Sequence, residues 1–152
     1  YRSQYPMSRF THALLAALFL AVLTGPANAD DILDPRQFVT DLYQDLRNDQ
    51  MPPAHEDDIF TPNLRALIDS ASPLDFGFYF NGQDWDIGAT TVEEFFFSPS
   101  VVQVVATFTN FGEPQAFTYV FVDMNGRWLI DEITNEFWVL SQQLEDYKSS
   151  QR

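Results

Sequence analysis

Tyr119 and Glu132 are the residues of this chain whose types and placement offer acid–base chemistry. A carboxylate on an apolar face has a raised pKa and can move a proton near neutrality, while a neighbouring phenol can donate to a developing oxyanion. Their pairing follows from Asn125-Gly126, the strongest two-residue hairpin signal. It sets Asp123 opposite Trp128, Phe121 opposite Ile130 and Tyr119 opposite Glu132. The alternative is structural: Glu132 reaches water near the strand end, and Tyr119 packs as an amphipathic core residue. A second concentration of polar groups, Asp75, Asn81, Gln83, Asp84 and Trp85, lies in the aromatic-rich segment from Pro73 to Trp85. Side-chain acceptors and rings on an irregular connection can line the mouth of a pocket. Equally, Asn81-Gly82 is a turn, Asp84 a local backbone acceptor, and the aromatics a plug for the open end of a sheet. The candidate ligand-binding set is therefore Tyr119, Glu132, Trp128, Asp75, Asn81, Asp84 and Trp85, and no residue is assigned a catalytic role.

Other chemistries are excluded by what the chain lacks. It has no cysteine, so a thiolate zinc site, a catalytic thiol, a lipid-modified cysteine and any disulfide are ruled out. His12 sits in the leader described below, leaving His55, in the Pro-rich and acidic stretch Met51 to Asp58, as a solvated loop residue. One histidine builds neither a multi-histidine metal site nor, from a loop, a Ser/His/Asp triad. Asp123, Asn125, Gly126 and Glu132 overlay four positions of a calcium loop, but its first ligand position is Phe121 and the segment alternates as strand, turn, strand. No metal and no cofactor are expected.

The apolar pattern supplies the elements that must position these residues. Asp34-Pro35 with Gln37 is a helix start, with an N-cap, proline at the first helical position and a capping-box partner. Phe38, Leu42 and Leu46, flanked by Val39 and Tyr43, form its apolar stripe to about Asn48. Thr61-Pro62 repeats the signal for a second, shorter helix facing inward through Leu64, Leu67, Ile68 and Ala71. Four antiparallel strands follow over residues 91–97, 101–110, 115–123 and 127–133, rich in Val, Thr, Phe and Tyr. With Phe111 to Pro114 as a four-residue loop, Phe108 opposes Phe117, Ala106 opposes Tyr119 and Val104 opposes Phe121. Val102, Val104, Ala106, Phe108, Phe117, Tyr119, Phe121, Trp128 and Ile130 then share the core face. The opposite face carries Val105, Val120, Val122, Leu129 and Ile133 among polar residues, and suits solvent or a homodimer interface. Phe137, Leu140, Leu144 and Tyr147 indicate a short closing helix. The fold class is α+β, N-terminal helices packed on a curved four-stranded antiparallel sheet in a cone-like arrangement.

Met7 to Ala29 reads as a cleaved export signal. Arg9 supplies the charge, Ala13 to Leu23 the apolar run of 11 residues, and Ala27-Asn28-Ala29 the cleavage site. That run is too short for the roughly 20 residues of a membrane span. Tyr1 to Pro6 lie ahead of Met7, the expected initiator. Residues 30–152 are then a single mature domain in the periplasm, with 22 acidic and 6 basic residues and a formal charge of −16. Such a charge disfavours nucleic acid and anionic membrane surfaces and favours solubility or a cationic protein partner.

Four stretches carry a family resemblance: Phe60 to Ile68; Leu74-Asp75-Phe76 with Asn81 to Trp85; Phe108 to Pro114; and Gly126 to Ile133. Over roughly residues 34–140 the chain resembles a family of exported bacterial proteins, a domain of unknown function within the nuclear-transport-factor-two-like (ketosteroid-isomerase-like) superfamily. The resemblance implies a curved antiparallel sheet wrapped around helices, a cone often holding an apolar pocket, and frequent dimerisation through the outer sheet face. It implies no activity. Three functions are expected in order: a non-enzymatic periplasmic domain binding a small apolar ligand in the cone or a protein; an acidic module capturing a cationic partner such as a basic hydrolase or toxin; and a proton-transfer enzyme using Glu132 and Tyr119.

Overall fold

A computed structural model describes residues 31–55 and 57–152. The expected export signal lies outside the described residues. Among the described residues, three helices and one four-stranded antiparallel sheet form an α+β fold, in the order α1 (Pro35–Arg47), α2 (Pro62–Ala71), β1 (Thr91–Ser98), β2 (Val101–Asn110), β3 (Glu113–Met124), β4 (Arg127–Thr134) and α3 (Leu140–Ser150). None of the described helices is long and apolar enough to cross a membrane.

The helix starts fall where the sequence places them, although their caps differ. Asp34 accepts a hydrogen bond from the Gln37 amide at 3.0 Å, but the Gln37 side chain turns forward to Asp41 at 2.7 Å, so only half of the capping box forms. Val39, Leu42, Tyr43 and Leu46 are buried along α1. The helix ends where Asp49 adopts a left-handed φ of 57° and the Gln50 amide reaches back to the Asp45 carbonyl at 2.9 Å. Thr61 precedes α2 without capping it; its hydroxyl donates instead to Asp131 on β4 at 3.0 Å.

The sheet is a meander, β1-β2-β3-β4, with α1 packed on β1 and β2 and with α2 and α3 packed on each other and on β4. Asn125 and Gly126, at φ of 59° and 83°, make the two-residue turn between β3 and β4. The preceding turn is also two residues, Phe111 and Gly112 at φ of 49° and 80°, rather than four. Asn110 pairs with Glu113, so Phe108 opposes Gln115, Ala106 opposes Phe117 and Val104 opposes Tyr119. Pro114 is compatible with this register because antiparallel pairs alternate between bonded and non-bonded. Next to the closing pair it needs no N–H toward β2.

Shifting the register by two preserves which face each residue occupies, so the expected core face survives. Val102, Val104, Ala106, Phe108, Phe117, Tyr119, Phe121 and Ile130 are all buried, joined by Phe78, Tyr79 and Phe80 from the segment before β1. Trp128 is half-buried at the sheet end, where its amide bonds the Ile32 carbonyl at 3.3 Å.

A bulge overturns the rest of the β4 register. Phe121 opposes Ile130 but Val120 opposes Glu132, which leaves Asp131 as the extra residue. Tyr119 consequently faces Ile133, which is buried on the inner face, and Glu132 moves to the opposite side of the sheet. On that outer face Val101, Val105, Val120 and Val122 are half-buried.

Candidate functional site

Among the described residues, the inner face of the sheet is packed with buried aromatic side chains. Tyr43, Phe78, Tyr79, Phe108, Phe117, Tyr119 and Phe121 are each almost wholly enclosed, and their rings pack against one another. Tyr43 donates to the Tyr79 carbonyl at 2.8 Å, so the 2.8 Å contact with Tyr119 has the Tyr119 hydroxyl as donor. Burial pushes all three phenols up; at Tyr43 this outweighs the lowering effect of the Tyr119 bond. Tyr119 is therefore a neutral donor already committed to Tyr43, inside a filled core.

Glu132 has a different role from the one its sequence position suggests. Its carboxylate accepts from the Ile133 amide at 3.1 Å and from the Ser141 amide at 3.0 Å. Ser141 is in the first turn of α3, whose preceding residue, Val139, has no capping side chain. A strand residue thus supplies the acceptor and negative charge that the helix start needs. Glu132→Ala should cost about 1 kcal/mol, as cap removal does. It should also speed hydrogen exchange at Ser141. A stability unchanged or raised by the substitution would contradict the capping role.

The remaining candidates do not converge on Tyr119. Asn81, at φ of 60°, accepts from the Trp138 indole at 2.8 Å, and Asp84 accepts from the Trp85 amide at 2.9 Å. Trp85 lies on Phe80, with ring centroids 5.0 Å apart, and donates to the Leu46 carbonyl at 3.0 Å. Asp75 is exposed. The segment folds tightly because the Gly77 amide bonds the Gly82 carbonyl at 2.6 Å and the Phe80 ring occupies the space a Cβ on Gly77 would need. It is an aromatic plug anchored by local hydrogen bonds. His55 is half-buried, its ring stacked on Phe78 at 4.8 Å, rather than solvated. Among the described residues, no three His, Cys, Asp or Glu side chains come together as a metal donor set.

A hollow lies elsewhere, between α1 and the edge strand β1. It is a groove of about 500 Å³ lined by Thr40, Tyr43, Gln44, Arg47, Asn48, Thr90 and Val92. Thr40, Gln44 and Arg47 recur at helical spacing beside the buried stripe of α1, while Val92 lies opposite Ala106 on the inner side of β1. The side chain of Val92 offers apolar contact; Arg47, two amides and two hydroxyls offer directional bonds. The sequence signal was present in the polar row along α1. Nothing in it says that this row borders a sheet edge rather than open water.

No family model, no curated protein and no solved structure matches this chain. The fold and the groove define an α+β domain with a helix–strand cleft at one edge of an antiparallel sheet.

Proposed function

We propose that this chain is an exported binding domain of the bacterial periplasm, without chemistry of its own, whose ligand lies in the groove between α1 and β1. The observation that carries this reading is the groove itself: its volume of about 500 Å³ falls in the range of ligand clefts, roughly 300–1,000 Å³. Its mixed lining suits an amphiphilic ligand better than the purely apolar one expected from the sequence. The filled interior argues in the same direction, since a ligand cannot enter among the rings around Tyr119 without displacing them. Export rests on the leader pattern of Met7 to Ala29. A proton-transfer enzyme is the weaker reading because its two groups stand on opposite sides of the sheet.

Native mass spectrometry of the protein isolated gently from its own cell envelope tests the proposal, with Gln44→Trp as the comparison. Gln44 is exposed, so an indole there fills the groove without entering the core. A bound species should accompany the wild type and be lost from the variant. Retention by both proteins, or by neither, would remove the groove as the binding site.

A further inference from the structure

β1 has β2 on one side and, among the described residues, no strand on the other, so half of its backbone donors and acceptors face outward. Natural sheet edges are usually blunted by charge, proline or shortness. This edge carries two charges, Glu93 and Glu94, and after them Phe95, Phe96 and Phe97 in succession, exposed by 48%, 74% and 66%. The groove meets the same strand at Val92, with Thr40, Gln44 and Arg47 on the helix wall. An unpaired strand edge facing a helix across a cleft is the geometry in which an extended peptide adds as a further strand. Main-chain bonds then give affinity, and the cleft receives alternate side chains.

We propose that the groove, taken as the binding site above, receives an extended polypeptide segment that pairs with β1, with β-branched residues at alternate positions and basic residues between them. The alternation follows from the register. Val92, Glu94 and Phe96 lie opposite Ala106, Val104 and Val102 and so face the inner side; Glu93 and Phe95 face the outer side. A side chain of an added strand that stands beside Val92 on this inner side enters the groove. Its neighbours along that strand stand beside Glu93, where lysine or arginine finds an opposite charge. A second copy of this chain is the poorer occupant, because pairing β1 with β1 sets acidic residues against each other between molecules of formal charge −14.

The probe is an acetylated, amidated octapeptide of alternating lysine and valine, titrated into the ¹⁵N-labelled protein at low ionic strength. The amides of residues 91–97, with Gln44 and Arg47, should shift. N-methylating the alternate backbone nitrogens that face β1 should weaken binding by about tenfold or more, since it removes the pairing bonds and leaves the side chains in place. Replacing lysine by glutamate should weaken it comparably, and added salt should shrink that difference. An octapeptide that fails to bind, binds equally well when N-methylated, or shifts only the outer face around Val105 and Val120 would overturn strand addition. If a small molecule is meanwhile retained by the wild type and lost from Gln44→Trp, the groove stands and only its polypeptide occupant falls.

Discussion

Replacing Phe121 by alanine lowers the stability of the folded chain by about 3–5 kcal/mol, the cost of emptying an aromatic site in a close-packed core. Phe121 is fully buried on β3, between Val102 of β2 and Ile130 of β4. The Phe38 ring meets it edge-on at 6.1 Å and 79°, and the Tyr119 ring stacks on it at 6.3 Å and 25°. Its neighbours belong to three strands and α1, so they cannot all move inward to fill the void. Such a loss is a large share of the roughly 5–15 kcal/mol that holds a domain folded. Urea denaturation should show a lower midpoint at an unchanged slope. Phe96→Ala is the internal control: its ring is 74% exposed, and the substitution should stay within about 0.5 kcal/mol. Equal effects at the two positions would mean that the burial pattern of the sheet is wrong.

Asn110→Leu should cost about 2–4 kcal/mol, because it removes the side-chain amide that partners two backbone groups while roughly keeping its volume. The Asn110 side chain accepts from the Asp86 amide at 2.8 Å and donates to the Phe80 carbonyl at 3.2 Å. It ties the end of β2 to the aromatic plug and to the segment that leads into β1. Leucine leaves both backbone groups without a partner where little water reaches, Asn110 being 9% exposed. The consequence is functional as well as energetic, since Thr90 and Val92 line the groove at the end of that segment. Faster hydrogen exchange should appear first at Asp86 and then along residues 86–92, with the exchange of Ile130 and Phe121 changed only by the global loss of stability. Uniform acceleration throughout the chain would argue that Asn110 anchors nothing in particular.

The elements were legible in the sequence where a local signal and a periodic pattern agreed. Asp34-Pro35 and Thr61-Pro62 mark the helix starts, and Asn125-Gly126 fixes the last hairpin. The alternation of Val102, Val104, Ala106 and Phe108 with polar neighbours identifies the buried face of β2. The turn at Phe111-Gly112 was read two residues too long. Phenylalanine seldom adopts a positive φ, so it carries no turn signal, and Pro114 reads as loop although it can sit in a strand at a non-bonded pair. That error left the face assignment intact because two residues restore the pleat. The bulge at Asp131 had the opposite effect, since a single extra residue inverts the facing of everything beyond it.

Composition and local pattern by themselves determined the absence of cysteine chemistry, the acidic character, the α+β order of elements and most of the core, because each depends on residues near one another in the chain. Tertiary structure alone decided the fate of the candidate site. It separated Glu132 from Tyr119, gave the carboxylate to the start of α3 and the phenol to Tyr43, and closed the interior with aromatic rings. It also set the polar row of α1 across a cleft from β1, an edge strand among the described residues. These outcomes depend on the position of one unpaired residue in a ladder and on contacts between segments tens of residues apart. Neither leaves a mark in local periodicity, which records only how a segment divides its own faces between core and water.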